Sequence, residues 1–188
     1  MSSITSRIIL SVALTAAAIT ADAKIVAGVK LDDTVTVNGQ TLVLNGAGVR
    51  KKLFIKVYAG ALYLPSKQRD AATILDADMP RRMVMHFVFD VGKGKIAEAW
   101  TEGLEANTPN ASADVKNAFR TLSSWMEDMK KGQEIVLTYV PTTGTTVDVK
   151  GKVKGTLLGK SVADAILATW IGPKPGPGND FKNAVLGK

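Results

Sequence analysis

The sequence has no cysteine and one histidine, His86, in 188 residues. The first absence excludes disulfides, thiol nucleophiles, thiolate metal sites and a lipoprotein anchor. The second leaves an ordinary zinc site without its usual donors. Acidic side chains are outnumbered, with 17 Asp and Glu against 24 Lys and Arg, for a formal net charge of +7. Long apolar runs are scarce: Ile8 to Ile19 stands alone, so no membrane span is expected after it. The common chemistry motifs are missing as well, with no GxGxxG after a strand, no P-loop, no GxSxG and no HExxH. Gly92-Lys93-Gly94-Lys95 resembles a phosphate loop in composition only.

What is present begins with an export signal. Arg7 precedes the apolar run, and Ala21-Asp22-Ala23 fits the small-x-small cleavage rule. The run is shorter than the roughly 20 residues a spanning helix needs, which favours a cleavable signal over residues 1–23 against a short membrane anchor. Residues 24–188 are then expected to form a single domain, a length that suits one core. The signal's Arg7 and Asp22 cancel, so the mature chain keeps its positive charge, much of it in pairs such as Lys51-Lys52 and Arg81-Arg82. Such pairs usually mark a solvated surface. A basic surface also attracts anionic small molecules, lipid or nucleic acid, and export argues against nucleic acid.

Periodicity gives the elements. Val35 to Leu44, broken by Asn38-Gly39, reads as a hairpin with a type I′ turn. Asn45-Gly46-Ala47-Gly48 reads as a flexible stretch, and Leu53 to Leu64 and Arg82 to Asp90 as strands. Ile96, Trp100 and Leu104 recur at helical spacing. A stronger helix starts at Ser112, a good N-cap, carries Val115, Phe119, Leu122, Met126 and Met129 on one stripe, and stops at Gly132. Three short strands follow (Glu134–Val140, Thr145–Lys150 and Val153–Leu158), then a helix from Ser161 to Trp170. A Pro/Gly loop and a last short helix, Phe181 to Leu186, close the chain. Strands, helices, strands and helix in segregated runs imply an α+β domain with an antiparallel sheet covered on one face. His86 reads as a structural or surface residue, since catalytic use needs partners that the sequence does not supply. Trp100, Trp125 and Trp170 read as core or cleft wall.

One constellation goes further. Leu44-Asn-Gly-Ala-Gly-Val-Arg50, then Leu53-Phe-Ile-Lys-Val-Tyr-Ala-Gly-Ala-Leu-Tyr-Leu64, with the C-terminal Ser161–Gly172 and Phe181–Gly187, resembles the chalcone isomerase superfamily and its bacterial chalcone-isomerase-like branch. The resemblance implies an open-faced β-sandwich: a large antiparallel sheet backed by a layer of α-helices, with a ligand cleft between them and no cofactor. Plant members of the superfamily cyclise chalcones, and a plastid branch binds fatty acids. In both, the arginine matching Arg50 holds the ligand's negative oxygen. Guanidinium suits that task, being always charged and presenting a planar fork to a carboxylate or phenolate; the other reading of Arg50 pairs it with a carboxylate of the protein.

Departures from the enzymes follow from the same comparison. Tyr58 stands where they have threonine. Gly92 and Ala99 fall near their tyrosine and asparagine, and Ala163 near a later hydroxyl or amide. No tyrosine lies between Tyr63 and Tyr139. Loss of one donor to a developing oxyanion typically costs about 10²–10³ in rate, so no catalytic residue is assigned and efficient chalcone isomerase activity is not expected. The expectation is an exported protein, in the periplasm of a Gram-negative bacterium by the family's implication, that binds a small amphipathic acid such as a fatty acid. Arg50 would clamp the anion, Tyr58 would hydrogen-bond it, and Ala99 and Ala163 would leave room for an apolar body. Two alternatives stand beside it. One is an isomerase or intramolecular lyase acting on an enone; the other is an interaction protein with a filled cleft and an acidic protein partner.

Overall fold

The computed structural model describes residues 23–188; the expected signal, apart from its last residue, lies outside the described residues. A small hairpin comes first, β1 (Lys24–Val26) with β2 (Val29–Leu31). A seven-stranded antiparallel meander follows: β3 (Thr34–Val37), β4 (Gln40–Lys52), β5 (Ile55–Leu64), β6 (Arg81–Phe87), β7 (Glu134–Val140), β8 (Gly144–Val149) and β9 (Lys152–Leu157), paired in that order. Between and after the strands come α1 (Ala71–Asp76), α2 (Lys93–Asn107), α3 (Ala113–Ser124), α4 (Lys160–Ile171) and α5 (Asn179–Val185). This is the expected α+β arrangement of a large antiparallel sheet backed by helices.

Local chemistry accounts for the boundaries. Asn38 and Gly39 turn the β3–β4 hairpin with φ of 48° and 77°, as a type I′ turn requires. Ser112 caps α3 by accepting from the Val115 amide at 3.3 Å, and Asp70 caps α1 through the Thr73 amide at 2.7 Å. The stripe expected to run to Met129 leaves the helix at Ser124. Met126 and Met129 stay buried on the non-helical segment that follows, where Met129 pairs through its backbone with Val91.

The sheet has two apolar faces. Tyr58, Leu62, Met85, Phe87, Ile135 and Leu137 share a core with Trp100, Phe119, Trp170 and Phe181 of the helices. On the other face Ala59, Ala61 and Tyr63 pack with Leu42, Leu44, Val29 and Leu31, so β1 and β2 supply cover that the sequence reading did not anticipate. The Tyr63 hydroxyl ties the two layers by donating to the Asp32 carbonyl at 2.9 Å. Tyr58 to Leu64 are consequently buried on both faces.

Asn45 to Gly48, read as a flexible stretch, lie inside the 13-residue β4. The glycines serve close approach instead. A Cβ at Gly48 would stand 2.9 Å from the Ala184 Cβ, and one at Gly46 or Gly60 would overlap the Ala184 carbonyl or the Phe181 ring. α5 therefore lies directly on the strands, and Asn45 fastens it through its side-chain amide, which donates to the Val185 carbonyl at 2.8 Å.

Candidate functional site

Strand alternation builds the site. Gly48 pairs with Gly60, and two residues along the same face Arg50 pairs with Tyr58. The glycines sit under α5; Arg50 and Tyr58 emerge beyond its edge, into a cavity of about 460 Å³ between the sheet and helices α2 and α4. That size falls in the usual range of about 300–1,000 Å³ for small-molecule sites. Val57, Met85, Phe87, Val91, Ile96, Trp100 and Trp170 form its apolar walls, with Leu53, Ile55, Phe89 and Pro177 among the other lining side chains. The cleft is not filled by side chains.

Tyr58, Trp170 and Arg50 come together in the cavity wall. The Trp170 indole N–H donates to the Tyr58 hydroxyl at 2.9 Å, which leaves that hydroxyl's own proton free to donate. Phe87 and Phe181 hold the Tyr58 ring, each with its centroid 5.7 Å away. Burial pushes the Tyr58 phenol above its ordinary value, against the opposing pull of the Arg50 charge and the Trp170 donor. Tyr58 is thus a neutral donor at any physiological pH. Arg50 is half-buried, with its guanidinium carbon 6.0 Å from the Tyr58 ring centroid. The Pro/Gly loop passes beside it, where a Cβ at Gly176 would stand 3.8 Å from Nη1.

Among the described residues Arg50 has no carboxylate partner, and Lys52 and Glu102, which also line the cavity, have no ion pair, while Lys95 is paired with Glu98 at 2.7 Å and Asp90 with Lys130 at 3.0 Å. The Thr169 hydroxyl, also in the wall, spends its proton on the Ile166 carbonyl at 2.8 Å. The Trp100 indole N–H is buried without a partner among the described residues. An unpaired guanidinium beside a phenol with a free proton, in a cavity with largely apolar walls, has the chemistry to receive an anion with an apolar body. Among the described residues no group of three or more His, Asp or Glu stands ready to hold a metal ion.

Of the residues singled out in the sequence, Arg50, Tyr58 and Ala99 line this cavity, as does Gly92. Ala163 does not. It is buried in the first turn of α4 and lines a separate cavity of about 20 Å³ near Arg81 and Tyr139. Seven residues of helix, about 10 Å of rise, separate it from Trp170, which reaches the large cavity. His86 lies apart from the site, its Nδ1 2.8 Å from the Glu134 carboxylate. The sequence reading missed the Trp170–Tyr58 bond and the Phe181 edge; both join positions more than a hundred residues apart, with no local signature.

A sequence model of the family described as chalcone isomerase-like matches residues 23–187. Among solved structures, the crystal structure of an Arabidopsis thaliana fatty-acid binding protein is similar, with a TM-score of 0.64 and 17% sequence identity; the match covers 85% of this chain and 93% of that one. No curated protein matches the sequence.

Proposed function

Because the chain belongs to the chalcone isomerase-like family, we propose that it binds a small amphipathic acid, a fatty acid first among the candidates, without converting it. The observation that carries this reading is Arg50, free of any carboxylate partner among the described residues, paired across strands with Tyr58 in a cavity with largely apolar walls. The guanidinium fork takes the carboxylate and the Tyr58 hydroxyl donates a further bond. The apolar tail runs along Val57, Met85, Phe87 and Trp100. The similar fold of a plant protein named for fatty-acid binding supports the choice of ligand.

Binding without turnover is our reading of the side chains near the positions where the superfamily's enzymes carry donors. Cyclisation of an enone needs donors aimed at the oxygen where charge develops. At this cavity the Trp170 N–H and the Thr169 hydroxyl are already committed within the protein, and Gly92 and Ala99 bring no donor side chain. We also propose that the protein acts outside the cytoplasm, with Lys24 as its first residue; N-terminal sequencing of the protein from its host should begin there, and an intact Met1 would contradict it.

Displacement of a fluorescent fatty acid by a saturated C12–C16 acid tests the binding. A hydrogen bond to a charged group contributes about 1.5–3 kcal/mol, so Arg50→Gln should weaken binding by about 10- to 100-fold. The corresponding fatty alcohol should compete poorly against the wild type. Equal affinity of the wild type and Arg50→Gln would overturn the clamp, and turnover of chalcones that vanishes in Arg50→Gln would replace binding with isomerase chemistry.

A further inference from the structure

Three two-residue turns in this chain carry glycine at the second position: Ala27-Gly28, Asn38-Gly39 and Lys150-Gly151, each with positive φ at both positions. The β4–β5 hairpin does otherwise. Lys52 pairs with Ile55 across a turn made of Leu53 and Phe54, and Leu53 holds a φ of 54°, a region that glycine or asparagine occupies more readily. The side chains bury nothing within the protein, Phe54 being 99% exposed and Leu53 87%. The fold itself gives no reason for an apolar pair here.

Charge surrounds the tip on one side of the ledger only. Residues 34–69 contain Arg50, Lys51, Lys52, Lys56, Lys67 and Arg69 and not one Asp or Glu. Lys51 and Lys56 face each other across the hairpin, an arrangement of like charges that disfavours the isolated sheet. Among the described residues neither has an ion-pair partner, nor has Lys52, whereas Lys95 and Lys130 near the cavity do. Leu53 and Ile55 also line the cavity, so the tip and the opening of the cavity are one surface.

We propose that the β4–β5 hairpin tip docks on an anionic lipid surface. Leu53 and Phe54 enter the boundary between headgroups and acyl chains, a depth of about 5–10 Å. Lys51, Lys52 and Lys56 extend their stems along the hairpin and place their ammonium groups among the lipid phosphates. Docked this way, the cavity opens toward the acyl layer, and an amphipathic ligand passes between lipid and cavity without crossing water. The docking surface stands independently of what the cavity holds.

Flotation of the full mature chain with vesicles tests it. Vesicles of phosphatidylglycerol and phosphatidylcholine should carry the protein up at 0.1 M salt, and pure phosphatidylcholine vesicles should not. At 1 M salt, where the Debye length falls from about 10 Å to about 3 Å, flotation should be lost. Phe54→Ser should weaken vesicle binding by about 10- to 100-fold, the value of burying one phenylalanine, and Lys51→Glu with Lys56→Glu should abolish it. None of these side chains lines the cavity, so all the variants should keep the wild-type melting temperature and should displace a fluorescent fatty acid from solution as the wild type does. Failure of vesicle binding alone therefore leaves the ligand reading intact, and the converse holds too. Absence of flotation, or flotation unchanged by Phe54→Ser, would overturn the proposal. So would sedimentation showing a dimer that Phe54→Ser dissolves without any vesicle binding, which would assign the tip to a second copy of this chain.

Discussion

Arg50 and Tyr58 occupy adjacent strands in direct register, yet their removal should have different consequences. Arg50 has no ion pair among the described residues, so Arg50→Gln should leave stability within about 0.5 kcal/mol of wild type while ligand affinity collapses. Tyr58→Phe keeps the ring between Phe87 and Phe181 but strips the acceptor from the Trp170 N–H. A buried donor without a partner costs about 1–3 kcal/mol, so urea unfolding should show a loss of that size, alongside a milder fall in affinity of about three- to tenfold. Equal stability of wild type and Tyr58→Phe would contradict the Trp170 bond. Affinity should also report the charge states. The raised Tyr58 phenol stays protonated past its ordinary value of 10.0, so titration calorimetry should find binding flat from about pH 6 to 9. It should weaken on the acid side as the ligand's own carboxylate, near pH 4–5 for such groups, takes up its proton. Much of this pair was legible in the sequence through the family resemblance. Ala163 was not placed correctly, because a likeness read along the chain does not say where along a buried helix a cavity ends.

At the scale of elements, α5 and the glycines beneath it position the site. Gly60→Ala would drive a methyl group into the Phe181 ring, and overpacking of this kind typically costs about 1–3 kcal/mol. Because Phe181 is the edge against Tyr58, ligand affinity should fall together with stability in denaturation and displacement measurements; a substitution without effect on either would show that α5 does not hold the tyrosine. The strands β6 to β9 and helices α2 to α5 were legible because alternation, spacing and caps agreed with the fold. Asn45 to Gly48 were not, since glycine's freedom argues for a loop when seen locally, and only the helix laid across β4 explains the need for bare backbone. The hairpin of β1 and β2 and the six-residue α1 were too short to carry a period.

For the whole molecule, buried phenols set the alkaline limit. Burial raises Tyr58 above its ordinary value and pushes Tyr63 and Tyr139 up to about 12. A raised value in the folded state means stability that is fully present below pH 10 and lost as pH climbs through the folded values. Thermal denaturation should therefore show a plateau near neutrality and a falling Tm from about pH 10 to 12; a constant Tm over that span would contradict the burial of these hydroxyls. On the acid side, hydrogen bonds from Lys154 and Lys150 hold the half-buried Glu127 carboxyl at about 2. Its contribution is present above the usual carboxylate range and lost as pH falls toward that value, and salt should erode it. The claim that unites these scales is that the cavity holds an anion on Arg50. Native mass spectrometry of the protein purified from its own host, wild type beside Arg50→Ala, tests that claim most directly. The account predicts an added mass of an amphipathic acid on the wild type and none on the variant. The same bound mass on both proteins, or none on a wild type that also fails to take up added fatty acid, would contradict it.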